Sequence, residues 1–195
     1  NILGSFNHGI IGKVEIKKAD MLISGLGTDE LLTIKGEGQG EINNALNVLQ
    51  QSPLADRVNP MLTGINLQGT TKAMLELAIP LRPGHETKVD GKAQLKDAQL
   101  TVNRLDLKVS KINGDIKFNR QGIYSDAIQA VALGQPIKVN IAQEDQETLI
   151  NVDGNAKVED VEQLFAWSGS QLAQGESAYL VQLHIPSANG SKPLQ

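Results

Sequence analysis

The sequence contains no cysteine among its 195 residues. It therefore cannot form disulfides, and it offers neither a thiol nucleophile nor cysteine ligands for a metal. Aromatic residues make up only 3% of the chain, so there are few flat rings to stack on bases or sugars. No run of about 18 apolar residues occurs, so nothing in this sequence crosses a membrane as a helix.

Charge and motif content exclude several further classes. A net charge of -4 and a pI near 5.4 give no electrostatic basis for binding nucleic acid. His8, His85 and His184 are far apart and lack metal-ligand spacing, and no Gly-x-Ser-x-Gly nucleophile motif is present. We therefore expect a protein that is not an enzyme and has no cofactor, no metal and no nucleic-acid partner.

What the sequence does contain is alternation of aliphatic and polar residues. Residues 67–80 open with a Gly and close with Pro80, which cannot donate to a strand ladder. Such a segment is typical of a strand with one apolar face. The residues that share this face at period two are Thr71, Ala73, Leu75, Leu77 and Ile79.

The same pattern returns in residues 173–186. Gln68-Gly69 recurs as Gln174-Gly175, and the Ile-Pro end recurs as Ile185-Pro186. Pro80 and Pro186 lie 106 residues apart (186 minus 80). Because a predicted helix precedes each copy, the order of elements indicates a long structural repeat.

Two regions have helical rather than alternating periodicity. Ile42, Ala45, Leu46 and Leu49 form one apolar stripe, and a second short helix is expected from residue 54 to about 61. The later stripe consists of Val158, Val161, Leu164 and Phe165.

The remaining chain predicts short strands with turns between them. We expect one strand over residues 10–16, and separate strands over residues 89–95, 98–102, 105–109 and 112–118. Glycine-rich residues 36–40 and the pair Asp153-Gly154 are expected to end strands before the helices.

These patterns predict a mainly β fold with two short amphipathic helix regions. An apolar sheet face must be covered, and the short helices are too small to cover all of it. Three arrangements satisfy this requirement: a second packed sheet, closure into a barrel, or a curved sheet that forms a groove for an apolar ligand.

At the level of motifs the chain resembles the large AsmA-like proteins of Gram-negative bacteria, and among them the YhdP branch. The resemblance covers most of the chain from about residue 35. It is carried by glycines, prolines and strand spacing in residues 40–54 (GEINNALNVLQQSPL), 67–80, 89–100, 112–118 (INGDIKF), 132–136 (ALGQP) and 175–186.

The resemblance implies a curved, twisted antiparallel sheet that forms a half-pipe or trough. It also implies a periplasmic segment of an inner-membrane-anchored protein involved in outer membrane biogenesis. The expected partners are phospholipid or another acyl-chain lipid, the remainder of its own chain, and the inner and outer membranes. The family offers no catalytic residues to assign to this chain. The alternative function is a non-catalytic structural or scaffolding domain of a cell-envelope protein, without a lipid ligand.

Candidate groove residues come from the alternation alone, and the structural alternative for each is burial beneath a helix or sheet. They are Leu75, Leu77, Ile79, Leu100, Val102, Leu105, Leu107, Val109, Ile116, Phe118, Ile137, Val139, Ile141, Val181, Leu183 and Ile185. We expect a single excised segment of a longer repetitive protein. Its units span residues 1–66 (strands plus helix), 67–157 (meander) and 158–195 (start of the next repeat).

Overall fold

The computed structural model describes residues 1–51, 55–82, 84–144, 147–165 and 175–186. The strands are β1 (Ile2–Ile11), β2 (Val14–Ser24), β3 (Leu31–Glu41), β4 (Ile65–Pro80), β5 (Lys88–Val102), β6 (Leu107–Asn119), β7 (Gly122–Ala132), β8 (Gln135–Glu144), β9 (Glu147–Lys157) and β10 (Glu176–Pro186). The helices are α1 (Ile42–Gln50), α2 (Ala55–Leu62) and α3 (Val158–Phe165).

All ten strands belong to one sheet, in which they follow their order in the chain. Each strand is antiparallel to the next, and β1 and β10 form the two edges. The described residues contain no second sheet, and the sheet is not closed on itself. The prediction of a mainly β, curved antiparallel trough is therefore confirmed over the other two arrangements.

A series of β-bulges interrupts four neighbouring long strands. The register shifts between Gln68 and Thr70 in β4. Similar shifts occur in β5 around residues 95–98, in β6 around residues 110–113 and in β7 around residues 125–128. A bulge bends its strand and increases the local twist. Bulges in four neighbouring strands therefore help to curve the sheet.

Asn113 links the bulges of β5 and β6. Its Oδ1 accepts a hydrogen bond of 3.0 Å from the backbone N–H of Asp97, and its Nδ2 donates one of 2.8 Å to the carbonyl of Lys111. Asp97 and Lys111 both have positive φ, at 50° and 51°. One amide side chain thus satisfies backbone groups that a bulge leaves without ladder partners.

The bulges explain why the predicted short strands are wrong in β5 and β6. Residues 89–95 and 98–102 are parts of the single strand β5, and Leu107 and Val109 share β6 with residues 112–118. Each extra bulge residue shifts the phase of the alternation, which in the sequence looks the same as a turn.

Three other boundary predictions are also wrong. Residues 10–16 form a tight hairpin between β1 and β2, in which Gly12 and Lys13 both have positive φ, at 54° and 69°. Such a turn is the common two-residue connection between antiparallel strands. The glycines of residues 36–40 do not end β3, which continues to Glu41, and β9 continues past Gly154 to Lys157.

The predicted helices are confirmed, and each region follows a strand without an intervening loop. Glu41 ends β3 and Ile42 begins α1, just as Lys157 ends β9 and Val158 begins α3. Ile42 is 3% exposed and belongs to the main apolar core. The structure does not describe the side chain of Phe165, the last residue of the later apolar stripe.

The two copies of the repeated strand have the same backbone at their glycine. Gly69 and Gly175 both have φ of 118°, a conformation that side chains rarely adopt. Their strands β4 and β10 both follow a helix region and end at a proline. Residues 173 and 174 of the second copy lie outside the described residues, and the division into repeat units stays a prediction.

Candidate functional site

One face of the sheet is apolar across all ten strands. Its continuity follows from the register, because residues opposite each other in an antiparallel ladder point to the same side. Ile34 of β3 lies opposite Leu77 of β4, which lies opposite Val89 of β5. On the same face, in the second half of the sheet, a row of β-branched residues runs from β7 to β10: Ile128, Val139, Val152 and Val181.

The structure places fifteen of the sixteen candidate groove residues in strands, on this apolar face. Leu105 is different, because it lies in the connection between β5 and β6, where its backbone N–H donates to the carbonyl of Val102 at 3.2 Å. The prediction that Leu105 belongs to a strand is therefore wrong. Whether any of these residues contacts lipid stays a prediction.

Several residues of the apolar face were not among the candidates. They carry the same period-two signal, but many lie in strands whose ends were predicted wrongly or beside a bulge. They include Ile23, Leu32, Ile34, Val89, Leu95, Ala98, Ile112, Ile123, Ile128, Ala130, Ile150 and Val152. Leu149 is not one of them, because it lies on the opposite side of β9 from Ile150, where it is buried.

Helices α1 and α2 cover the middle of the apolar face. Leu46, Leu49 and Leu62 pack on a cluster that is centred on Val89 and Phe118. Leu75 and Leu77 belong to the same cluster, so these β4 residues face the helices. Helix α1 contacts β3 and β4, and α2 contacts β7 and β10, so the helix pair lies inside the curve of the sheet.

The apolar face is more open toward the two edges of the sheet. Val181 and Leu183 of β10 are 42% and 47% exposed, and Met21 of β2 is 40% exposed. Val139 of β8 and Val152 of β9, in the same cross-strand row as Val181, are half-buried. Exposed aliphatic residues that adjoin a buried apolar surface form a patch of the kind that marks interaction sites.

Aromatic rings on this face lie over glycines. A Cβ built on Gly91 would overlap the ring of Phe118, and one built on Gly154 would lie 2.9 Å from the phenol oxygen of Tyr179. Each pair is directly opposed in the ladder. Burial raises the pKa of Tyr179 above its usual value of 10.0, because the phenolate loses hydration beside the apolar cluster.

The opposite face of the sheet is charged. Cross-strand ion pairs join Lys35 to Glu76 at 3.0 Å and Lys92 to Asp115 at 2.8 Å. Lys18 pairs with Asp20 on the same strand at 2.8 Å, and the hydrogen bond from this pair raises the pKa of Lys18. Such exposed pairs contribute little stability, but they give the sheet a hydrated face and an aliphatic face.

The described residues contain no candidate metal site. Among them, no three His, Asp or Glu side chains form a cluster able to hold a metal ion. His184 contacts Glu147, with 3.0 Å between Nδ1 and Oε2, on the exposed side of the β9–β10 pair. None of the helices in this part of the chain has the length and hydropathy to cross a membrane.

Comparison with known proteins identifies the family of the chain. The model of the YhdP protein family matches residues 5–195, nearly the whole chain. The chain belongs to the YhdP family. As a family member it is similar to the intermembrane phospholipid transporter YhdP of Escherichia coli strain K12, with 26% identity over 109 residues.

That alignment covers 54% of the chain and 8% of the E. coli protein. The chain thus corresponds to a small part of a much longer relative. No solved structure gives a significant match.

Proposed function

We propose that this chain is one segment of a periplasmic bridge that carries phospholipids between the inner and outer membranes, with their acyl chains held in the apolar trough. The observation that supports this function most directly is the apolar face, which continues in register from β1 to β10. The named activity of the E. coli relative supports phospholipid as the cargo.

The chemistry of the trough suits an acyl chain. Its aliphatic side chains offer no directional contacts, and a buried methylene group contributes about 0.8 kcal/mol through the hydrophobic effect alone. Neighbouring strands offer similar residues, such as Val139, Val152 and Val181. A chain of similar sites lets a lipid move from one to the next without being trapped.

The charged face supports the proposal that lipid tails lie only on the apolar face of the sheet. Ion pairs such as Lys35–Glu76 keep that face hydrated, so the lipid tails are shielded on the other side only. We further propose that the partners are the remainder of its own chain and the two membranes, and that the longer protein is anchored in the inner membrane.

A scaffolding domain without lipid is the second candidate, and the packing of Leu46, Leu49 and Leu62 on the apolar face favours it locally. In that case the apolar face serves only as the core beneath the helices. Toward β10, however, the same face is exposed at Val181 and Leu183, which a core alone does not require.

Photo-crosslinking distinguishes the two functions. A benzophenone amino acid at Val139 or Leu183 is expected to form lipid adducts, detected by mass spectrometry, after the chain is incubated with phospholipid vesicles. Lys138 and Gln182 are matched controls, because each is the preceding residue on the opposite, exposed face of the same strand. Equal adduct formation at all four positions, or at none, contradicts the proposed function.

A further inference from the structure

Helices α1 and α2 cover the surface that would otherwise be the most apolar part of the trough. Beneath them lie Leu75, Leu77 and Phe118, together with Val89, which is buried. This surface continues on the same face to the exposed residues of β10. An acyl chain that follows the trough therefore meets the helix pair.

The helices occupy this surface with the same chemistry that a lipid tail offers. Leu46, Leu49 and Leu62 supply branched aliphatic groups to the cluster. Contacts of this kind are non-directional, and their strength depends on the apolar area removed from water. A lipid tail can therefore replace them on the sheet without leaving a buried polar group of the sheet unpaired.

The sheet does not depend on the helices for its backbone hydrogen bonds. Strand β3 pairs with β4 over the whole of its length, from Leu31 opposite Pro80 to Glu41 opposite Thr70. Strand β4 pairs in turn with β5 from Ile65 to Ala78. The helix pair is inserted between two strands that are already neighbours, so its departure leaves the ladder complete.

The helices themselves depend on the sheet. Helix α1 has nine residues and α2 has eight, which is too short for a stable isolated helix in water. Helix α2 also contains Pro60, which lacks an N–H and interrupts the helical hydrogen bonds. Ile42, buried where α1 leaves β3, is a fixed point about which the rest of the pair can move away.

We propose that the surface beneath α1 and α2 is a cryptic acyl-chain site, closed by the helices in this structure and opened when a lipid tail displaces them. This inference rests on the proposed function, and it adds that lipid and helices compete for Leu75 and Leu77. The helix pair then acts as a cover that closes the trough whenever no lipid is present.

A disulfide between α1 and the β1–β2 turn provides the test. A Cβ at Gly12 would lie 2.9 Å from Cγ2 of Val48, which suits a bond between cysteines at the two positions. The chain has no other cysteine, so Gly12→Cys/Val48→Cys forms a single defined bond when oxidised. The same variant in its reduced form is the matched control, because it carries the same backbone strain at residue 12.

The readout is crosslinking to dioleoylphosphatidylcholine vesicles from benzophenone at Leu75, in the cluster that the helices cover, and at Leu183, which is 47% exposed on the same face. We expect adducts at Leu75 in the reduced protein and a loss of at least tenfold on oxidation, while adducts at Leu183 change less than twofold. Equal adducts at Leu75 in both states overturn the cryptic site. So does their absence in both states when Leu183 still reacts, and in that case the proposed function stands. If neither position reacts, both proposals fail.

Amide hydrogen exchange tests the same idea without any substitution. In the unmodified chain, α1 and α2 are expected to exchange several-fold faster when vesicles are added, because lipid releases them from the sheet. Exchange in β5 and β6 is expected to stay the same or slow down. Unchanged or slower exchange in α1 and α2 overturns the proposal.

Discussion

Phe118 of β6 lies over Gly91 of β5, its opposed partner in the ladder, and its ring fills the space that a side chain at residue 91 would need. Tyr179 and Gly154 have the same relationship in β9 and β10. A ring that covers a glycine shields exposed backbone and compensates for the missing side chain. The ring thus lies close to the sheet backbone on the apolar face.

The first prediction concerns this packing. Gly91→Ala is expected to lower the free energy of unfolding by about 1–3 kcal/mol, because the new methyl group forces the buried Phe118 ring out of its position. Urea unfolding measures the change. Gly36→Ala is the control, since a Cβ there meets nothing closer than 3.7 Å on the same apolar face. Equal stability of the two variants would show that Phe118 does not require a glycine beneath it.

The second prediction concerns the bulges that help to curve the sheet. Asn113→Ala removes the acceptor for Asp97 N–H and the donor to the Lys111 carbonyl, so it is expected to cost about 1–2 kcal/mol in urea unfolding. Asn66→Ala, at an exposed asparagine of β4, is expected to change stability by less than about 0.5 kcal/mol. An equal effect at both positions would argue against a role for Asn113 in holding the bulges.

The third prediction concerns the titration of Tyr179. Because burial raises its pKa, the neutral phenol is favoured in the folded state. The resulting stability is present below the unfolded pKa of about 10 and is lost as pH rises through the folded pKa. The absorbance difference between the wild type and Tyr179→Phe during alkaline titration isolates this group. A midpoint at or below 10.0 would contradict the burial of the phenol.

The fourth prediction tests the trough with a charge. Leu183→Asp places a carboxylate on the apolar face, whereas Leu180→Asp places it on the other side of the same strand. Leu183→Asp is expected to reduce bound phospholipid at least tenfold, because a lipid tail would have to desolvate the charge. Leu180→Asp serves as the control, with less than a twofold effect expected.

Lipid extraction followed by mass spectrometry measures both variants. Equal lipid content in the two proteins would mean that acyl chains do not follow the apolar face at β10. A loss in both would point to a general effect of charge at this edge strand rather than to a lipid site.

Much of the fold could be predicted because its signals are local. Period-two alternation identifies strands, and the 3.6-residue stripes at Ile42–Leu49 and Val158–Leu164 identify helices. The shared Gln-Gly and Ile-Pro segments mark two strands, β4 and β10, that are preceded by a glycine with φ of 118° or contain one, and their relation as repeats stays a prediction. The apolar face itself follows from these patterns, which is why most candidate residues are placed together.

Strand lengths could not be predicted, for a definite reason. A bulge at Asp97 or Lys111 and a turn at Gly12-Lys13 both shift the alternation, and only hydrogen bonds to another strand distinguish them. The predicted strand over residues 10–16 therefore ran through the β1–β2 turn, whereas the predicted strands of β5 and β6 stopped at bulges.

By itself, the sequence determined that the chain would form antiparallel strands with one aliphatic face, because that outcome depends on neighbours along the chain. Only the tertiary structure decided what lies against that face. The contact of Leu46 and Leu49 with Phe118 joins residues about seventy positions apart, and no local pattern specifies such a pair. Long-range packing thus separates the part of the trough beneath the helices from the part that is open at β10.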